Sequence, residues 1–142
     1  MSHILIADDE ESIGSLLRAT LEGPDSRVTH ATNGPEALLL VQEHKFDLII
    51  LDWMMPGKSG IDVLRELRQR PETATIPIIM LTARGQMKDQ ELALRLGAAG
   101  YLMKPFSPLE LLEKISKILG PQKERKQDQV APSSEGKQVT VQ

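Results

Sequence analysis

The chain has 142 residues, enough for one domain with its own core, and no cysteine, which excludes disulfide frameworks, thiolate metal sites and cysteine nucleophiles. Hydrophobic residues make up 40% and charged residues 26%, a globular composition, and the formal charge of -3 lacks the basic surplus of a dedicated nucleic-acid binder. No apolar run approaches the ~20 residues that span a bilayer, and Asp8 cuts short the apolar stretch after Met1 before a signal peptide can form, so a cytoplasmic protein is expected.

The segment His3 to Ala7 is apolar and runs into the acids Asp8, Asp9, Glu10 and Glu11, after which Ile13, Leu16, Leu17 and Leu21 recur at helical spacing. This pattern is strand, acidic loop, helix. Glu10 and Glu11 are accounted for by the dipole of the helix they precede, which leaves Asp8 and Asp9 in need of a reason. Gly23, Pro24 and Asp25 break the helix, Arg27 to Ala31 has weak strand character, and Asn33-Gly34-Pro35 opens a helix carrying Ala37, Leu38 and Val41 on its apolar face.

Asp47 to Leu51 is apolar after its first residue, as in a strand covered on both faces, and stops at Asp52. A loop from Met54 to Gly60, punctuated by Pro56 and Gly57, leads into a helix over Ile61 to Arg70 and a fourth strand over Ile76 to Leu81, which ends at Thr82. A helix from Met87 to Leu96 follows, with Gly97 as its C-cap, then a short strand from Gly100 to Met103 that reaches Lys104 and Pro105. The last helix begins near Ser107, with Pro108 in its first turn, Glu110 completing a capping box, and Leu111, Leu112, Ile115, Ile118 and Leu119 as its stripe. Beyond Gly120 the composition turns to Gln, Lys, Ser, Pro and Glu, so a domain over residues 1–120 and a flexible tail or truncated linker over 121–142 are expected.

Five strands alternating with five helices predict an α/β fold, a doubly wound parallel sheet with right-handed crossovers and helices on both faces. Ligands of such sheets bind outside the carboxyl ends of the strands, where strand order reverses. Asp8 and Asp9 follow strand one, Asp52 strand three, Thr82 strand four and Lys104 strand five. In the order 2-1-3-4-5 the three carboxylates share one crevice, where they repel one another unless a cation intervenes. Magnesium suits them, because it prefers oxygen ligands and binds through one or two carboxylates plus phosphate oxygens.

Each residue alone has a plainer explanation. Asp8 or Asp9 can cap a helix, Asp52 can sit in a turn, Thr82 can end a strand, Lys104 and Lys58 can be solvated charges, and Tyr101 can be a core aromatic. Met54, Met55, Met80, Met87 and Met103 read as packing residues, and Trp53 as partly exposed. What outweighs these explanations is the joint placement of Asp8, Asp9, Asp52, Thr82 and Lys104 at four strand ends.

Asp8-Asp9, Leu51-Asp52-Trp53-Met54-Met55-Pro56-Gly57, Leu81-Thr82-Ala83 and Lys104-Pro105-Phe106 together resemble the signature of response-regulator receiver domains, over roughly residues 3–119. The resemblance implies a flavodoxin-like, CheY-like (βα)5 three-layer sandwich. It implies Asp52 as phosphoacceptor, with Asp9, Asp52 and the Met54 backbone carbonyl as direct Mg2+ ligands and Asp8 as a mainly water-mediated one. Thr82 and Lys104 would contact phosphoryl oxygens, and Thr82 with Tyr101 would switch the surface of helix four, strand five and helix five. The implied donor is a sensor histidine kinase or phosphotransfer protein, and the implied recipient a downstream protein or an output domain beyond this chain. Such a chain catalyses only its own phosphorylation and dephosphorylation, and His3, His30 and His44 lack the context of a phosphoryl donor.

The Trp53 region and the Leu81 to Gly85 run are most similar to receivers of OmpR/PhoB-type regulators, although Ala99 and Gly100 stand where that subfamily often has an acidic pair. The chain is thus expected to be a monomer or a phosphorylation-dependent dimer. A Lys104-Pro105 cis peptide is also implied. Three other readings differ in kind: a haloacid-dehalogenase-type hydrolase, which wants a second Asp where Met54 stands; a nucleotide-binding module, for which GxGxxG and Walker loops are missing; and a degenerate receiver acting as a scaffold.

Overall fold

The computed structural model describes residues 2–83 and 87–119. The expected tail over 121–142, the end of the Leu81 to Gly85 run and the Met87 side chain lie outside the described residues. The chain divides into two compact units, Met1–Pro108 and Leu109–Gln142.

The first unit alternates β1 (Ser2–Ala7), α1 (Glu11–Leu21), β2 (Ser26–Ala31), α2 (Gly34–Glu43), β3 (Leu48–Asp52), α3 (Gly60–Gln69), β4 (Ile78–Thr82), α4 (Met87–Arg95) and β5 (Gly100–Met103). The last helix, α5 (Pro108–Leu119), lies in the second unit from Leu109 onward and buries Leu111 and Ile115. All strand pairs are parallel, in the order β2-β1-β3-β4-β5. These ten elements make the fold flavodoxin-like and CheY-like, as expected. Boundaries moved by one or two residues, for visible reasons. β3 extends to Asp52, which pairs with Leu81 of β4. β4 starts only at Ile78, because Pro77 has no N–H to give a ladder and Ile76 N–H turns back to the Thr73 carbonyl.

Every residue of β3 and β4 is buried, as parallel strands covered on both faces require. Leu5, Ala7, Ile49, Leu51, Ile78 and Met80 share one core with Val41 of α2, Leu64 and Leu67 of α3, and Ala93 of α4. Ile4, Ile6, Ile50, Ile79 and Leu81 alternate to the opposite face and are equally buried. Right-handed crossovers put α1 on that opposite face, because the chain steps one way from β1 to β2 and the other way from β2 to β3. Between β1 and β3 the winding reverses, and the carboxyl ends of these two neighbours open the crevice that matters below.

Local signals hold the elements at their ends. Asn33 caps α2, its side-chain oxygen accepting from the Glu36 N–H at 2.8 Å. Asn33→Ala is expected to cost about 1 kcal/mol, the usual loss of such a cap, read as a lower urea midpoint with an unchanged slope. Gly97 ends the turn after α4 with φ 108, a left-handed conformation that favours glycine. Its carbonyl accepts twice from the Arg68 guanidinium, at 2.9 and 3.0 Å, which ties the α4–β5 turn to α3.

Candidate functional site

β1 delivers Asp8 at its carboxyl end, where the strand ladder holds it: Asp8 N–H donates to the Ala31 carbonyl at 3.0 Å and the Asp8 carbonyl accepts from His30 Nε2 at 2.8 Å. Oδ1 of Asp8 then accepts from the Glu10 N–H at 2.9 Å, an Asx-type turn that lets the chain enter α1. Asp8 is therefore not the helix cap of the plainer explanation: the N-cap position of α1 belongs to Glu10, and Asp8 bonds the N–H of that residue instead. Its other oxygen, Oδ2, is buried without a hydrogen bond. Lys104 Nζ lies 2.9 Å from it, as an ion pair.

β3 delivers Asp52. The next residue, Trp53, donates its N–H to the Leu81 carbonyl at 2.9 Å, and its carbonyl accepts from Gly60 N–H at 2.8 Å, so the acidic strand end is fastened to β4 and α3. Trp53 is not partly exposed as expected: two residues after Leu51 it points to the same side and joins the same core. β5 delivers Lys104, whose N–H donates to the Thr82 carbonyl at 2.8 Å, and the Lys104-Pro105 bond is cis as the resemblance implies. Thr82 ends β4, buried, one residue past the neighbour of Asp52.

The side chains therefore converge. One oxygen each of Asp8, Asp9 and Asp52 lie within 4.8 Å of one another, with Asp8 and Asp52 buried and Asp9 exposed. Among the described residues this is the one such group of potential ligands. Lys104 Nζ stands 3.3 Å from Asp52 Oδ1 and 3.1 Å from Glu10 Oε1. Burial and the Asp8 charge push the Asp52 carboxyl up to about 6, against the partial relief that Lys104 gives. Burial alone would lower the Lys104 ammonium, but contact with Asp8 and Glu10 and the nearby Asp52 charge leave it raised and firmly protonated. A buried carboxylate oxygen with no hydrogen bond, in an all-oxygen cluster with surplus negative charge, fits a hard divalent cation such as Mg2+.

Other residues depart from expectation. Glu10 does more than favour the helix dipole, since it reaches Lys104. Lys58 is paired with Glu66, which Arg70 also contacts, so it is no simple solvated charge. Met80 and Met55 pack as expected, whereas Met54 and Met103 are exposed. Tyr101 is half-buried against the main core. His30 and Glu10 were missed as site residues. His30 sits in register with Ile6 of β1, a pairing invisible before strand order is known.

A doubly wound parallel sheet with an acidic crevice and a lysine at its switch point defines the class of CheY-like signalling domains. The chain belongs to the response regulator receiver domain family, whose model matches residues 4–116. It is 47% identical over 116 residues to the phosphate regulon transcriptional regulatory protein PhoB of Rhizobium meliloti, covering 82% of this chain and 51% of that protein. It is 45% identical over 134 residues to the alkaline phosphatase synthesis transcriptional regulatory protein PhoP of Bacillus subtilis, covering 94% and 53%. Among solved structures, the chemotaxis response regulator CheY4 of Vibrio cholerae superposes with a TM-score of 0.78 at 33% identity, over 83% of this chain and 98% of that one. The chain spans about half the length of the curated relatives it matches. It is a receiver domain of two-component response regulators, a family that works with histidine kinases, generally uses Mg2+ and is not a classical enzyme family. No described helix is long and apolar enough to cross a membrane.

Proposed function

We propose that Asp52 accepts a phosphoryl group in a Mg2+-dependent reaction and that the modified domain signals through the surface of α4, β5 and α5. The observation that carries this reading is the gathering of Asp8, Asp9 and Asp52 within 4.8 Å, with Lys104 Nζ 3.3 Å from Asp52 Oδ1. With its carboxyl at about 6, Asp52 is largely ionised at pH 7 and can act as a nucleophile.

Phosphoryl transfer asks for in-line positioning and charge neutralisation more than for proton transfer. An Asp52 oxygen forms a bond to phosphorus as the phosphorus–nitrogen bond of a phosphohistidine breaks, and the imidazole leaves with the bonding pair and takes a proton. The product on Asp52 is an acyl phosphate, reactive enough to be reversible. Asp9, Asp52 and the Met54 carbonyl would hold the cation directly and Asp8 through water. Mg2+, when bound, supplies positive charge to the transferring oxygens. Lys104 would supply it as well, and the Thr82 hydroxyl would donate to a phosphoryl oxygen. Drawing Thr82 inward makes room for Tyr101 to turn and so reshapes the output face.

Acting in the cytoplasm, the chain would receive the group from a sensor histidine kinase or phosphotransfer protein and pass the signal to a protein partner or an output domain. Residues 1–120 serve as the receiver and 121–142 as a tail or linker, and the chain works as a monomer or a phosphorylation-dependent dimer. Intact-mass measurement after incubation with acetyl phosphate tests the central step. One phosphoryl group is expected with Mg2+ and none with EDTA, and an unmodified protein in both would sink the reading.

A further inference from the structure

Glu10 belongs to neither group its position suggests. It occupies the N-cap position of α1 but makes no side-chain cap hydrogen bond, and it lies outside the cluster of Asp8, Asp9 and Asp52. Its carboxylate instead accepts a hydrogen bond from Lys104 Nζ at 3.1 Å, across 94 residues of sequence. Lys104 Nζ has three protons to give and faces three carboxylates, at 2.9 Å (Asp8), 3.1 Å (Glu10) and 3.3 Å (Asp52). Asp8 and Asp52 are buried, whereas the Glu10 side chain is 56% exposed, so the ammonium is held between the crevice floor and its solvent side.

We infer that Glu10 is a positioning residue that holds Lys104 by direct contact at the crevice mouth and competes for it with the group carried on Asp52. The inference rests on the reading of Asp52 as phosphoacceptor. An anionic group on Asp52 draws Nζ toward its own oxygens, and the contact given up most cheaply is the exposed one, because water replaces it. Glu10 therefore opposes anion uptake through Lys104, and weakening its contact strengthens uptake.

Two substitutions separate contact from charge. Glu10→Gln removes the charge and keeps the length, and Glu10→Asp keeps the charge but shortens the reach. In the presence of Mg2+, both are expected to bind beryllofluoride about two to five times more tightly than wild type, the size of one exposed ion pair. In metal-free buffer, both are expected to speed reductive methylation of Lys104, mapped by peptide mass spectrometry relative to the remaining lysines. That labelling needs no phosphoryl chemistry and would not follow from a purely structural role for Glu10. Unchanged labelling, or Glu10→Asp matching wild type while Glu10→Gln tightens binding, would overturn the role of Glu10 alone. Wild-type protein that takes up no beryllofluoride would overturn the reading of Asp52, and this role with it.

Discussion

Asp52→Asn is expected to abolish Mg2+-dependent phosphorylation by acetyl phosphate and, in the same protein, to raise the stability of the metal-free fold at pH 7. The first effect is loss of the nucleophile, since an amide does not form an acyl phosphate. The second follows from the cost of ionising a buried carboxyl beside Asp8. The carboxyl titrates at about 6 in the fold against 3.8 in the open chain, so the folded state binds its proton more tightly. Above about 6 the ionised group therefore destabilises the fold; the penalty shrinks as the pH falls through 6 and is gone below the open-chain value. At about 1.4 kcal/mol per unit, removing the charge should stabilise by on the order of 1–3 kcal/mol at pH 7. Urea unfolding in EDTA at pH 7 and at pH 4 checks this. A gain at pH 7 that has largely gone at pH 4 is expected, and an Asn variant that is less stable at pH 7 would contradict the electrostatic account. Mg2+ should raise the stability of wild type more than that of the variant, because binding to the folded state alone stabilises it.

Gly60→Ala should destabilise by about 3 kcal/mol although alanine is the better helix former. An ideal Cβ at Gly60, the first residue of α3, would stand 2.0 Å from the Asp52 backbone oxygen. The obstacle is backbone at the carboxyl end of a buried strand, so relief requires moving Asp52 itself. Slower phosphorylation should accompany the loss of stability. Gly23→Ala is the control, since a Cβ there meets nothing within 4 Å, and its unfolding midpoint should stay within about 0.5 kcal/mol of wild type. A Gly60→Ala protein as stable as the control, with wild-type phosphorylation, would show that α3 can shift without disturbing the site.

Much of the fold was legible because its signals are local. Continuous apolar runs that stop at Asp8, Asp52 and Thr82, helical stripes, the Asn33 cap and the Gly97 stop each depend on neighbours within a few residues. Boundaries slipped where a cross-strand partner decided them, as for Asp52, which pairs with Leu81. Trp53 was misread because its environment depends on whether the strand alternation continues past the acid, and the bond from its N–H to Leu81 continues it.

The sequence by itself determined the alternation of strands and helices, the acids and the lysine at the strand ends, and a resemblance from which their roles were expected. Only the tertiary structure decided that Lys104 is shared among Asp8, Glu10 and Asp52, that His30 holds the Asp8 carbonyl, and that burial raises the Asp52 carboxyl. The physical reason is range. Propensity and periodicity act over one or two turns of chain, whereas the charge on a carboxylate depends on neighbours that meet it only after β1, β3, β4 and β5 have come to lie side by side.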